Sequence, residues 1–572
     1  MKRWLLVSLA LITLLATACR GSGMSDSALG TEPSAETDPM PTAAAAKVEA
    51  PAPVMPERGL ATADDKSSSG SQGGVFRRLW ADPPTLDPHL TGDTTSAGIV
   101  VEVFSGLVAL NTDLQLIPDI AERWEVDETG TVYTFRIRDK VKFHNGNSVT
   151  AADFKWSIER ASKPNTASAV VDTYLNDIVG FNDFFEGRAD EIAGIRIVDD
   201  LTLQITIDAP KAYFLAKLTY PTAYVLDRTT VETGGRSWWI DTPVGTGPFK
   251  LTEYRIGERI VLERNEDFYR DPPSVNKVVM NLAGGQAMAM YENDEIDITG
   301  VGLFDLDRVL DPNEPLNKEL VIAQPGFSIA YIGFNTEKAP FDDVKFRQAL
   351  NHAIDKDLIA REVLSELVKP AYGILPPSFP GYNPEIKGLE YDQELAKNLL
   401  SQSKYADPES RPRIVITVPG TGGVIGLDLE VIIAMWENTL GVEVEISQVE
   451  WATYLDDLDA KKMQAYAGLG WQADYPDPQD FLDILFHSES SINHGNFNNS
   501  AVDKLLEEAR IEPDIVQRIA LYNDAERLIV QEAAWVPLWF DGEQYALIKQ
   551  YVTGYELTPM IVPRLAQVVI TP

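Results

Sequence analysis

The side chains that carry out catalytic or metal chemistry are few in this chain and are spaced badly for it. The five histidines are His89, His144, His352, His487 and His494, and no HExxH, paired CxxC or Walker-type run accompanies them. The ligand spacings of a zinc or nucleotide site are therefore missing. His487 and His494 stand near enough in sequence to approach one metal, but no cysteine or third histidine lies close by, and two loop histidines, hydrogen-bonded or facing solvent, are the simpler reading. The run Gly420-Thr421-Gly422-Gly423-Val424-Ile425-Gly426 puts Ile425 where a dinucleotide loop needs its third glycine. It reads as a strand-to-helix turn whose backbone amides could hold an anion. No serine sits in a GxSxG elbow, and acidic pairs are too common among 86 Asp and Glu residues to mark glycosidase chemistry. The expectation is no enzyme, no catalytic residue, no metal and no cofactor.

Cys19 is the only cysteine, so an internal disulfide is impossible. It ends an apolar run, residues 4–18, that begins just after Lys2 and Arg3. The charged start, apolar middle and small-residue end predict an export signal over 1–18, too short to span a bilayer. The sequence Leu14-Leu15-Ala16-Thr17-Ala18-Cys19 resembles the bacterial lipobox, with Ala16 where leucine is usual. That resemblance implies cleavage after Ala18 and lipidation of Cys19, which would hold the protein on the outer face of the cell membrane. An ordinary signal with an incidental cysteine is the alternative.

Residues 20–73 are Ser, Ala, Pro, Thr, Gly and acids with almost no large apolar side chain. They cannot bury enough surface to offset their ordering entropy, and 19–73 is expected to be a lipid-anchored disordered linker. The rest, with 44% hydrophobic and 24% charged residues overall, is the composition of a globular body, and its length calls for two or three domains. The formal charge of −37 excludes nucleic acid, which needs a basic footprint, and makes the body mildly attractive to cationic solutes.

The elements that would position any site alternate between strand and helix periods. Residues 132–138 and 201–207 alternate apolar and polar side chains and predict half-buried strands. Thr150 with Asp153 has the spacing of a capping box ahead of Phe154, Ile158 and Ala161 at helical intervals. Phe346, Ala349, Leu350, Ala353, Ile354 and Leu358 form a helical stripe. Residues 414–418, 427–440 and 442–449 predict a strand–helix–strand crossover and hence parallel sheet. Two more helical stripes follow, through Val502, Leu505 and Leu506 and through Ile519, Tyr522, Ala525, Leu528 and Ile529. The class is α/β.

Three segments carry a more specific likeness. The first comprises Ile117-Pro118-Asp119-Ile120-Ala121-Glu122-Arg123-Trp124, then Tyr133-Thr134-Phe135-Arg136 through His144-Asn145-Gly146, then Thr150-Ala151-Ala152-Asp153-Phe154. The second is Pro243-Val244-Gly245-Thr246-Gly247-Pro248-Phe249 with Glu263-Arg264-Asn265. The third is Phe341-Asp342-Asp343-Val344-Lys345-Phe346-Arg347-Gln348-Ala349-Leu350 through Ala353-Ile354-Asp355-Lys356. Together they resemble the family 5 extracellular solute-binding proteins, the dipeptide and oligopeptide receptors of bacterial ABC importers.

The resemblance implies a two-lobed, three-domain periplasmic-binding-protein-like fold of type II that closes on its ligand. Lobe one would comprise 74–107, 239–330 and 539–572, with a domain inserted at 108–238; lobe two would be 331–538. The chain would cross between lobes twice, near 331–334 and 538–540. It also implies a role for Gly470-Trp471-Gln472-Ala473-Asp474-Tyr475. Asp474 would pair with a peptide's α-ammonium, Trp471 and Trp451 would wall the cleft, and Asn493 would help bind the peptide backbone. Gly468 falls where some oligopeptide receptors place an arginine near the ligand's carboxylate, so no carboxylate contact is located. The expected partners are a peptide ligand and a membrane permease, with the receptor itself a monomer. A sensor or chaperone of the same fold, or a receptor for an opine, sugar or nickel chelate, is the alternative.

Overall fold

The computed structural model describes residues 73–571, save 242 and 421. Cys19, the signal and the linker up to residue 72 lie outside the described residues. Three β-sheets organise the body. The first is seven-stranded and mixed, in the spatial order Leu320–Ala323, Gln544–Ile548, Ile298–Gly300, Val75–Leu79, Lys277–Asn281, Arg259–Arg264 and Phe249–Arg255. It collects strands from three distant stretches of chain, so its core joins Phe76, Leu262 and Val278 to Ile548 and Val568.

The second sheet runs Val368–Pro370, Trp535–Asp541, Ser328–Phe334, Ala465–Tyr466, Ile414–Pro419 and Val444–Val449, with Gly470–Gln472 also paired to Ser328–Phe334. The predicted crossover is present: Ile414–Pro419 and Val444–Val449 pair in parallel around the helix Leu427–Leu440. Gly420 to Gly426 form the turn between strand and helix, as the glycine pattern indicated. The helix Val344–His352 packs on this sheet, but the apolar stripe read through Leu358 is not one helix. Asp355 caps a second helix, Lys356–Glu362, by accepting from the amide of Leu358, and the turn between them swings Leu358 out to 39% exposure.

The third sheet is antiparallel and four-stranded, in the order Ala121–Val126, Val132–Ile137, Thr202–Thr206 and Ile195–Asp199. The two alternating segments pair directly, with Phe135 opposite Leu203, and both side chains are wholly buried. The helix Ala151–Ala161 covers the sheet and starts in the expected capping box, with Asp153 accepting from the Thr150 amide at 2.8 Å. One continuous apolar cluster joins this sheet, through Phe135, Ile205 and Phe214, to Tyr475, Phe481 and Tyr522 beside the second sheet.

The first and second sheets are joined by two antiparallel chain segments. Leu320–Ala323 leads into Ser328–Phe334, and Trp535–Asp541 leads into Gln544–Ile548. The links are residues 324–327 and 542–543, whereas 331–334 and 538–540 lie inside strands of the second sheet. The helices Ser500–Ile511 and Ile515–Gln531 follow the two late stripes and bury Val502, Leu506, Tyr522, Ala525 and Ile529.

Candidate functional site

A cavity of about 770 Å³ opens where the three sheets' elements meet. Its wall takes residues from 84–110, from 167–224, from 451–494 around the second sheet, and Ile561 to Pro563 near the C-terminus. That volume lies within the range of ligand-binding clefts.

Four of the five residues singled out from the sequence line it: Trp451, Gly470, Trp471 and Asp474. Trp471 stands in the short strand Gly470–Gln472, opposite Ile329. Gly470 is required there by close approach, because a Cβ at this position would sit 2.7 Å from the Ile329 carbonyl oxygen. Trp451 opens the helix Trp451–Asp459, whose amides at Ala452 and Thr453 are capped by Glu450. Its ring stacks on Tyr454 at 5.8 Å, and its indole nitrogen is buried without a partner.

Asn493 is placed differently. It is buried, its amide nitrogen donates to the carbonyls of His487 and Phe497, and its oxygen accepts from the Phe497 amide at 3.0 Å. Both of its amide protons hold the 487–497 loop, while its neighbours Ile492 and His494 face the cavity. His487 meets Glu507 and His494 meets Asp459, each through its Nε2.

Asp474 is the electrostatic centre of the wall. It is half-buried, and burial pushes its carboxyl up to about 7, against the opposing effect of a hydrogen bond donated by Tyr174. Tyr174 comes from the helix Val171–Leu175 and stacks face to face on Tyr220, with ring centroids 3.5 Å apart. Behind Asp474 lies Asp480, which is fully buried. One of its oxygens accepts from the Trp471 indole at 3.3 Å and from the Asp474 amide at 3.1 Å, and the other has no partner. Burial first, and then the charge of Asp474, raise the Asp480 carboxyl well above the usual carboxylate range. Two carboxyl groups so close in a water-poor site cannot both ionise cheaply. The turn that carries Asp474 is held by Asp477, which takes a two-pronged bond, 2.6 and 2.8 Å, from the buried Arg518.

Sequence reasoning did not find Tyr174, Asp480, Tyr220, Asp93, Asp456 or Asp459, and it read His494 as a loop histidine without placing it at the cavity. Tyr174 sits in a five-residue helix with no motif around it, and only tertiary packing brings it to Asp474. Gly468 explains its own departure from arginine: its φ is +77°, and a Cβ would lie 3.0 Å from the Pro419 ring.

None of the three hallmark segments lines the cavity. Instead they hold the framework. His144 accepts from the Gly245 amide with Nδ1 and meets the Gly247 carbonyl with Nε2, so the first hallmark is tied to the second. Burial drives His144 down to about 4, which keeps it neutral for this double role. A Cβ on Gly247 would lie 2.6 Å from the Glu102 carbonyl oxygen. In the third hallmark Arg347 is buried and donates to the carbonyls of Phe341, Glu532 and Ala533.

A two-lobed α/β body with a cavity between the lobes has the architecture of a type II solute-binding protein. A profile of the bacterial extracellular solute-binding proteins, family 5 Middle, matches residues 115–493, and the chain belongs to this family. The periplasmic oligopeptide-binding protein OppA of Escherichia coli (strain K12) is 30% identical over 496 residues, covering 84% of this chain and 89% of its own. The probable deoxycholate-binding periplasmic protein YgiS of the same strain is 32% identical over 501 residues, covering 84% and 91%. The structure of the Escherichia coli murein tripeptide binding protein MppA aligns with a TM-score of 0.79 at 27% identity, over 88% of this chain and 99% of that one. MppA in its unliganded open form reaches 0.62 over the same shares. The lobes of this chain are therefore disposed less like that open form. Among the described residues, no helix is long and apolar enough to cross a membrane.

Proposed function

We propose that this protein is the extracytoplasmic receptor of an ABC importer. It takes a peptide by its free amino terminus into the cleft and presents the closed form to a membrane permease. The observation that supports this reading best is Asp474, a carboxylate that lines the same cavity as the indoles of Trp451 and Trp471. A carboxylate in a closing, water-poor cleft makes a strong charge-assisted bond with an ammonium, and indole faces accept varied side chains with little selectivity. Gly470 lets the Trp471 strand dock, and Asn493 keeps the loop beneath it in shape. In the proposed division, 74–107, 239–323 and 544–572 form lobe one, 108–238 the inserted domain and 328–541 lobe two, with 324–327 and 542–543 as the links between lobes.

The test pairs Asp474→Asn with acetylation of the peptide. Leaving a buried ammonium without its counter-charge costs on the order of 2–5 kcal/mol, so the variant should bind free peptides more than about tenfold more weakly. Acetylated peptides should be bound alike by variant and wild type, which isolates the pair from general damage. Equal wild-type affinity for free and acetylated peptides would remove the amino-terminal contact.

The proposal includes the tether. Lipidated Cys19 would hold the receptor to the outer face of the membrane through acyl chains, with the linker as a flexible spacer. Cys19→Ala should then be exported but partition into the aqueous phase on detergent extraction; membrane retention of the variant would show that the lipid is not the tether.

A further inference from the structure

The cavity wall carries four carboxylates, Asp93, Asp456, Asp459 and Asp474, and among the described residues no lysine or arginine lines it. Asp93 is partly committed, since its oxygen accepts from the amides of Thr95 and Ser96 at the head of the helix Thr94–Val103. Asp456 and Asp459 are exposed and lie on the same helix as Trp451, with Asp459 facing the ring of His494 at 3.1 Å. They stand on the stretch of wall that begins at Trp451, away from the Asp474 turn in sequence and on a different element. The cleft thus combines two separate sources of negative charge with indole faces, and its one basic side chain among the described lining residues, His494, already meets Asp459 through Nε2.

We infer that the cleft selects its peptides by charge. It favours those with a basic side chain following the free amino terminus, held between Trp451 and the Asp456–Asp459 face, and it rejects acidic side chains and disfavours a free carboxylate placed inside the cavity. This rests on the amino-terminal reading of Asp474. The physical basis is additive: a cation near two half-solvated carboxylates gains modest Coulomb energy from each, an anion loses as much, and an indole face favours the cation further. The chain's overall charge of −37 acts in the same direction at longer range. The same wall is a poor fit for an acid such as a bile salt, despite the likeness to a relative named for one.

The experiment uses calorimetry on the full mature protein with three synthetic peptides, Ala-Lys-Ala, Ala-Gln-Ala and Ala-Glu-Ala, each as the carboxylic acid and as the amide. The expected order is Lys over Gln over Glu, with about tenfold or more between the extremes at low salt, narrowing at about 0.5 M salt. Each amide should bind more tightly than its acid. In the Asp456→Asn/Asp459→Asn protein, whose changes are at exposed positions, the Lys-to-Glu ratio should fall to about threefold or less. Glu and Lys peptides bound equally well by the wild type would overturn charge selection, and a ratio unchanged in the double variant would overturn its assignment to the Asp456–Asp459 face; either leaves the peptide reading standing. Failure of all six peptides to bind would remove the peptide reading and this inference with it.

Discussion

Tyr174 donates its phenolic proton to the carboxylate of Asp474, joining two residues 300 positions apart. One side of the contact belongs to the helices beside the four-stranded sheet, the other to the turn after Trp471. The same two surfaces meet again where Ser491 donates to Asp172 at 3.0 Å. The group proposed to receive the ligand's ammonium thus also bonds across the cleft, so ligand binding and this cross-cleft contact draw on one carboxylate.

Binding should depend on pH through Asp474. Its carboxyl is pushed up to about 7, chiefly by burial, so below that pH the free protein carries a proton that an incoming ammonium must displace. Affinity should fall by up to about tenfold per pH unit below 7, and fall again above about 8 as the peptide's α-amine loses its charge. The stability of the empty protein should run the opposite way. A carboxyl raised in the fold holds its proton longer than in the unfolded chain, so its contribution is full at low pH and is lost as pH rises through 7. Asp474→Asn should therefore melt higher than wild type at pH 8, with the gap narrowing below pH 7 and closing near pH 4, and its peptide affinity should not decline between pH 7 and 5.

Tyr174→Phe should shift that profile. The hydroxyl bonds to the charged form of Asp474 and lowers its pKa, so removing it raises the carboxyl further. The midpoint of the affinity profile should move to higher pH while the acetylated-peptide control stays flat. An unmoved midpoint would mean that the hydroxyl does not reach the carboxylate in solution.

The framework of this protein was largely legible in the sequence because local patterns and backbone demands leave marks. Alternation gave away the strands around Phe135 and Leu203, and the Thr150–Asp153 spacing marked a true cap. The hallmark residues Gly245, Gly247 and Arg347 are recognisable because close backbone approach and orphan carbonyls admit few substitutes. The cleft was legible only where its residues sit inside such a segment, as Trp471 and Asp474 do. Tyr174, Asp93, Asp456 and His494 become neighbours by tertiary packing alone, and nothing local distinguishes them from surface residues. The stripe through Leu358 misled for the opposite reason: an Asp cap at 355 overrides apolar periodicity.

The ion pair under the binding turn should matter more for stability than any on the surface. Arg518 is buried, gives two bonds to Asp477, and also meets Tyr522 and the Ala509 carbonyl. Arg518→Met leaves Asp477 without its partner and should cost about 3–5 kcal/mol in urea unfolding. Arg518→Met with Asp477→Leu should recover part of that loss, since no charge is then stranded. Because Asp477 fixes the turn bearing Asp474, both variants should also bind peptide more weakly than wild type.

The last expectation concerns motion. Among the described residues two links, 324–327 and 542–543, join the first and second sheets, and two strands that cross side by side can absorb a rotation by small changes in a few backbone angles. The contacts that oppose opening are the apolar cluster shared by the third sheet and the elements beside the second, and, at the cleft itself, the polar pairs Tyr174 with Asp474 and Ser491 with Asp172. A polar pair of this kind contributes about 0.5–1.5 kcal/mol net, or about twice that where one partner is charged, so ligand contacts of similar size can shift the balance between open and closed forms. Saturating peptide should therefore lower the radius of gyration in small-angle scattering and bring the profile to that calculated from this closed arrangement. Tyr174→Phe should enlarge the empty protein further while leaving the peptide-bound profile unchanged. Identical scattering with and without a peptide that calorimetry shows to be bound would mean that the two links do not act as a hinge.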